Sequence, residues 1–186
     1  MINCKCFSFQ GVNGAYSELA GKKIFPSANS IACKTFEEMF EAVREKQADF
    51  AIVPIENSRA GRVADTQRLI PESNLKIVGE YFLEVNHYLM GVAGATMDDI
   101  KFIHSHEQAI AQCRNNILNF NKEMVVVADT AGAAKMIAEL QNKENAALAS
   151  KLAAETYNLE IVKENFEDAD NNVIRFLIMA HDLEMP

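Results

Sequence analysis

The stretch EMVVVADTAGAAKMIAEL (residues 123–140) decides the fold class. Its first half is a short apolar run rich in β-branched valines, which reads as a buried strand. Its second half begins at Thr130 with small residues and continues as a helix-forming segment. The same step recurs in both directions along the chain. KFIH (residues 101–104) feeds SHEQAIAQCRNNILNF, where Ser105 with Gln108 gives a capping-box signature, and NAALAS (145–150) feeds KLAAETYN. Near the start, the alternating KCFSF (5–9) is followed by a Gly-rich turn that opens a helix from about Ala15 to Phe25. KTFEEMFEAVREKQ carries a capping box of Thr35 and Glu38, and its Phe36, Met39, Phe40 and Val43 form one apolar stripe. DFAIVPIEN and NVIRFLIMA read as buried strands, and LKIVGEYFLEVNHYLMGV as one long extended stretch or two strands divided around Gly79 and Glu84. Strands alternating with helices predict an α/β protein with mostly parallel sheets.

Composition excludes several functions. The chain has 186 residues, 49% of them hydrophobic, enough for one domain or two small lobes. No apolar run is long enough to span a bilayer, and MINCKCFSFQ lacks the order of a signal peptide, so a cytoplasmic protein is expected. A net charge of -8 argues against nucleic acid and anionic membranes as partners. Cys4, Cys6, Cys33 and Cys113 form no CxxC pair, and His87, His104, His106 and His181 do not fall at metal-ligand spacing; no metal is expected.

The junctions carry the chemistry. A strand gives way to a helix at Gly14 to Ser17, at Ser105, at Thr130 to Ala133 and at Ser150. Helix N-termini expose unsatisfied N–H groups and partial positive charge, and open α/β sheets gather ligands at the carboxyl ends of their strands. A small anion is the implied ligand, set against simple helix capping by Ser105 and Thr130. VPIENSRAGRVADT (53–66) ends a strand in Glu56, Asn57 and Ser58, either a polar site or a turn with a helix cap.

Six segments in order, FQGVNGAYSELA, VPIENSRAGRV, IHSHEQAIAQC, ADTAGAAKMIAE, ALASKLAAETYNLEIV and NNVIRF, resemble the bacterial form of the prephenate dehydratase family from Phe9 to Phe176. The resemblance implies a two-lobed α/β fold similar to type II periplasmic-binding proteins, with a central cleft. The whole of 1–186 is then one dehydratase-like domain: lobe one takes residues 1–80 plus 160–186 and lobe two 81–159. It implies decarboxylating dehydration of prephenate to phenylpyruvate in phenylalanine biosynthesis, without metal or organic cofactor, by a dimer or larger homo-oligomer. Asn57, Ser105, Gln112 and Glu56 match the family's catalytic surroundings. Ala15, Tyr16, Ser17, Ser58, Thr130, Ala131 and Arg175 match its substrate-binding positions. The chain departs from the pattern at the last strand: where the family carries a Thr-Arg-Phe triplet whose threonine donates a proton to the departing hydroxyl, this sequence reads Ile174-Arg175-Phe176; it also has Glu107 where the family often has proline. Weakened dehydration is expected, with a non-catalytic prephenate-binding protein, or decarboxylation without loss of the hydroxyl, as the alternatives. The resemblance leaves prephenate and arogenate undivided as substrates. It also makes feedback through a regulatory ACT domain unexpected in a chain that stops at Pro186.

Overall fold

A computed structural model describes residues 4–181. The ends of the expected first lobe, 1–3 and 182–186, lie outside the described residues. The chain divides into two compact units. The first holds Tyr16–Glu84, the residues up to Val12 and those from Asn172 onward; the second holds Asn13–Ala15 and Val85–Asn171.

The first unit contains β1 (Cys6–Gln10), α1 (Tyr16–Ile24), β2 (Asn29–Cys33), α2 (Phe36–Arg44), β3 (Phe50–Asn57), β4 (Gly61–Arg62), α3 (Ala64–Glu72) and β5 (Lys76–Glu84). The second contains β6 (Tyr88–Gly91), β7 (Phe102–Ser105), α4 (Glu107–Gln112), α5 (Arg114–Asn119), β8 (Glu123–Val126), α6 (Thr130–Leu140), β9 (Asn145–Ala149), α7 (Lys151–Tyr157) and β10 (Glu160–Lys163); β11 (Val173–Ala180) returns to the first unit. The long stretch from residue 75 is therefore two strands, divided after Glu84.

The sheets are mixed, not mostly parallel. In the first, β2, β1 and β3 are parallel, while β11 lies antiparallel between β3 and β5. In the second, β8, β7 and β9 are parallel, and β6 and β10 add antiparallel pairs at one side. A parallel neighbour requires a crossover of a dozen or more residues, usually through a helix. The strand-to-helix steps visible in the sequence supply those pairs. β10 and β11 arrive by other routes and run against their neighbours. The pairing of β10 with β6 also keeps residues 160–171 in the second unit, not in the lobe of residues 1–80 plus 160–186 expected from the sequence.

Apolar periodicity sets the cores. The stripe on α2 buries Met39, Phe40 and Val43 against Ala51, Val53, Leu177 and Met179, with Phe36 packed at the margin. Thr35 caps this helix as expected, its Oγ1 accepting from the Glu38 N–H at 3.1 Å, while the Glu38 carboxylate takes the Lys34 N–H at 2.8 Å. On β1, Phe7 and Phe9 are fully buried. Gly21 lets α1 settle there: a Cβ on it would fall 2.2 Å from the Phe7 ring. The second unit closes around Leu89, Ile103, Ile110, Ile117, Leu148 and Phe166. Each such side chain contributes about 1.5–3 kcal/mol by leaving water.

Candidate active site

In the second unit three adjacent parallel strands, β8, β7 and β9, each end at a corner that opens a helix. The corners are made differently from the sequence expectation. Ser105 is the last residue of β7 and does not cap α4: its fully buried Oγ donates to the Leu148 carbonyl at 2.6 Å. The cap is His106, whose Nδ1 accepts from the Gln108 N–H at 3.3 Å. Thr130 is the first helical residue of α6, and Asp129 caps it by accepting the Gly132 N–H at 2.6 Å. Thr130 is half-buried and Ala131 is buried. Ser150 does cap α7, accepting from Ala153 N–H at 3.1 Å and donating to the Gly14 carbonyl at 2.6 Å.

That last bond ties the Gly-rich turn to this unit. Gly14 has φ +90°, and a Cβ there would stand 2.7 Å from Ala153 Cα, so both the left-handed backbone and the close approach require glycine. Tyr157 Oη donates to the Asn13 carbonyl at 2.7 Å. Ala15 follows within the same unit, and Tyr16 and Ser17 open α1 in the first; all three are half-buried.

Gln112 closes α4. Its Oε1 lies 2.9 Å from Nε2 of His87, and its carbonyl accepts from the Asp168 N–H at 2.8 Å. His87 is buried, and burial pushes its pKa below the usual histidine range, with the bond to Gln112 opposing the shift. The imidazole is therefore neutral near pH 7, and because Gln112 Oε1 can only accept, the bond requires the proton on Nε2. Burial, with Glu167 and Asp168 adding to it, drives the adjacent Cys113 thiol far up, so it is an inert core residue.

In the first unit the end of β3 lies beside the start of β11. Asn57 stands in register with Ile174, and Glu56 with Arg175. A clasp closes the pair: the Ser58 N–H donates to the Val173 carbonyl and the Val173 N–H to Ser58 Oγ, each at 2.9 Å. Asn57 Oδ1 accepts the backbone N–H groups of Arg59 and Ala60 at 2.8 and 2.9 Å. The turn thus fixes the amide and directs its NH2 away from the backbone. Asn57 and Ile174 are half-buried, Glu56 and Ser58 exposed. Ile174 has Leu83 on its other side, in register on β5. Arg175 sits on β11 with its guanidinium on Glu80: Nε and Nη2 reach Oε2 at 2.9 and 2.7 Å, and the group lies 5.8 Å from the Phe82 ring. Its charge is partnered by β5 rather than by Glu56.

Within each unit, then, the expected residues gather: Asn57, Ser58, Ile174 and Arg175 at one strand end, and Ser105, Gln112, Thr130 and Ala131 at the carboxyl ends of three parallel strands. The sequence reading missed His87 and Asp129. Asp is a leading N-cap residue and stood immediately before the helix, so that signal was available. His87 gave none, being a lone histidine where one strand gives way to the next. Among the described residues no cluster of three or more His, Cys, Asp or Glu is placed to hold a metal ion, and no helix is long and apolar enough to cross a membrane.

The family model for prephenate dehydratase matches residues 7–184. A bifunctional N-acyl-homoserine lactone acylase/prephenate dehydratase of Komagataeibacter europaeus is 45% identical, the match covering 95% of this chain and 63% of that protein. The arogenate dehydratase/prephenate dehydratase 1 of Arabidopsis thaliana is 42% identical over 96% of this chain and 46% of its own. The chain therefore spans about half to two thirds of the length of these relatives. Among solved structures, the prephenate dehydratase of Arthrobacter aurescens in complex with L-Phe superposes with a TM-score of 0.88 at 30% identity, covering 97% of this chain and 62% of that one. A structure described as a novel type of quorum quenching acylase superposes at 0.92 with 44% identity, covering 97% and 66%. The α/β, two-lobed, periplasmic-binding-protein-like fold class expected from the sequence is the one shared with the dehydratase structures.

Proposed function

The chain belongs to the prephenate dehydratase family, and on that premise we propose that it is a cytoplasmic lyase converting prephenate to phenylpyruvate in the formation of phenylalanine. The observation that carries the proposal is the register of β3 on β11, which sets Asn57 beside position 174 and clasps Ser58 to Val173. In the reaction the ring carboxylate leaves as carbon dioxide and its electron pair completes the aromatic ring. The carbon–oxygen bond to the ring hydroxyl breaks, and the hydroxyl takes up a proton and departs as water. Aromatisation drives the step, so the protein has to hold a dianion, orient the ring and deliver one proton.

The first-turn N–H groups of α6, around Thr130 and Ala131, suit the side-chain carboxylate. The Asn57 NH2 and Gln112 are the donors proposed for the ring substituents. Ser105 serves as the buttress of its corner, since its hydroxyl hydrogen is already given to Leu148. Ile174 has no proton to give. General acid catalysis is typically worth about 10²- to 10⁴-fold, or roughly 3–5 kcal/mol of barrier, and that is the expected loss relative to a threonine at this position. Isoleucine and threonine are both β-branched, so the strand tolerates the exchange.

The test is phenylpyruvate formation from prephenate by the protein and by Ile174→Thr. The variant is expected to be faster by a factor within that range. A variant no faster removes position 174 from the proton path, and absence of product from both removes the dehydratase reading. The second reading, a prephenate-binding protein without chemistry, is favoured by Ile174 itself and is selected by calorimetric binding without turnover in both forms. Retention of the hydroxyl oxygen in the product, read by mass, would instead indicate simple decarboxylation. Arogenate supplied in competition decides between the two substrates. The acylase activity named for the Komagataeibacter relative has no counterpart in the neighbouring His104 and Ser105. Nε2 of His104 is bonded to Asn145 Oδ1 at 2.8 Å, and Ser105 Oγ to Leu148, so the two do not form a nucleophile and base.

A further inference from the structure

The segments by which the chain enters and leaves the second unit, residues 85–87 and 164–171, meet at His87. The His87 N–H donates to Glu167 Oε2 at 2.8 Å, and the His87 carbonyl accepts from the Phe166 N–H at 2.8 Å. Phe166 is fully buried in the core of the unit and stacked on Phe120. Asp168 continues the chain of contacts. Its N–H donates to the Gln112 carbonyl at 2.8 Å, and its carboxylate takes the N–H groups of Asn115 and Asn116 at 2.8 and 2.9 Å. Asn116 Nδ2 in turn holds the carbonyls of Phe166 and Glu167 at 3.1 and 3.3 Å. The imidazole closes the circuit at 2.9 Å from Gln112 Oε1. His87 is thus fixed at its backbone by the exit segment and at its ring by Gln112, and Gln112 is fixed at both its carbonyl and its side chain.

We infer that His87 is a positioning residue for Gln112, anchoring the amide oxygen so that the NH2 is held outward as a hydrogen-bond donor to an oxygen of the substrate. The inference rests on the reading above that Gln112 touches substrate. A primary amide is nearly symmetric in shape, and unless one end is claimed it presents oxygen or NH2 to a ligand with little preference. An N–H donor claims the oxygen; a neutral imidazole with its proton on Nε2 is such a donor. The blander alternative is a buried histidine that merely satisfies its own ring. It differs in what it predicts for Gln112.

The kinetic test compares His87→Leu, His87→Gln, Gln112→Ala and the double variant His87→Leu/Gln112→Ala on prephenate. His87→Leu is expected to lower kcat by up to about a hundredfold, the scale of a misplaced group, with little change in KM. His87→Gln, which can offer an amide N–H where Nε2–H stood, should recover most of the loss, and the double variant should be no slower than Gln112→Ala. Losses that multiply in the double variant, or a glutamine no better than leucine, overturn the inference. A second measurement is independent of turnover: the side-chain amide resonances of Gln112, assigned by their disappearance in Gln112→Ala. They are expected to be dispersed in the wild type and to collapse to unstructured positions in His87→Leu while the backbone spectrum stays folded. Unchanged amide resonances in His87→Leu overturn the positioning. If Gln112→Ala turns over prephenate like the wild type, the assignment of Gln112 to the substrate fails, and the resonances still decide whether His87 sets its orientation.

Discussion

The polar groups of the two units are committed to different degrees. At the corners of the second sheet nearly every expected side chain is already spoken for within the protein: Ser105 by Leu148, Ser150 by Gly14 and Ala153, Gln112 by His87, with Asp129 capping at Gly132. Where β3 ends beside the start of β11 the arrangement is different. Backbone bonds and the Ser58 hydroxyl clasp the strands, while Asn57 spends its oxygen on a turn. The second sheet carries its helix corners on a rigid frame; the first carries side chains that can change without disturbing the strand beneath. That asymmetry makes the exchange at residue 174 intelligible. An isoleucine can enter a half-buried strand position at small cost to stability, whereas any comparable exchange at Ser105 or Ser150 would remove a hydroxyl that donates to a backbone carbonyl.

Asn57→Asp separates the two kinds of contribution most strongly. Aspartate keeps an oxygen for the Arg59 and Ala60 N–H groups and loses only the NH2, so the turn survives. Turnover is expected to fall by about 10²- to 10³-fold, the usual cost of removing one preorganised donor, with the thermal midpoint little moved. A lowered midpoint with kcat intact would make Asn57 a turn residue and no more. Ser105→Ala is the converse experiment and should be smaller. It leaves the buried Leu148 carbonyl unpaired at a cost of about 1–3 kcal/mol, which in a chain of this size lowers Tm by roughly 2–4 °C for each kcal/mol. Its kcat per folded molecule should hold. Lost turnover at full stability would instead put the Ser105 hydroxyl on the substrate and erase the contrast between the units at that corner.

The sequence was most informative where local chemistry and tertiary context agree. The strand-to-helix steps at residues 123–140, 101–120 and 145–158 produced the parallel core of the second sheet, and the stripe on α2 was legible because Met39, Phe40 and Val43 are buried by one face of one sheet. It was least informative where pairing partners are distant. β2 is a half-exposed edge strand with no clean alternation, and β10 is four residues long and defined by β6. α3 lacks a side-chain cap at Val63 and carries Pro71 in its last turn, so the usual start and stop signals are missing. The same holds for the site. Asn57 and position 174 are 117 residues apart in sequence, and the motifs named them without supplying the register that joins them. His87 escaped because its importance lies in its bond to Gln112 and in the exit segment around Phe166, contacts that no spacing rule encodes.

The pH dependence of stability tests the rigid side of the comparison with the smallest expected signal. Burial lowers the pKa of His87 in the folded protein, while in the unfolded chain the group titrates near its ordinary value of about 6.5. Below that pH the unfolded chain binds a proton that the folded protein resists, so stability falls as the pH drops through the ordinary range toward the lowered folded value, and this contribution levels off beneath it. The slope from one such group is at most about 1.4 kcal/mol per pH unit. Carboxylates titrate over part of the same interval, so the measurement is a difference: urea unfolding between about pH 5 and 8 for the wild type and for His87→Gln, which has nothing to protonate there. The wild type should lose stability faster than the variant on acidification. Parallel profiles would mean that His87 takes up its proton as readily in the folded protein as in the unfolded chain. That would be incompatible with a buried neutral ring on the Gln112 amide and would leave the corner of α4 no more rigidly built than the open end of β3.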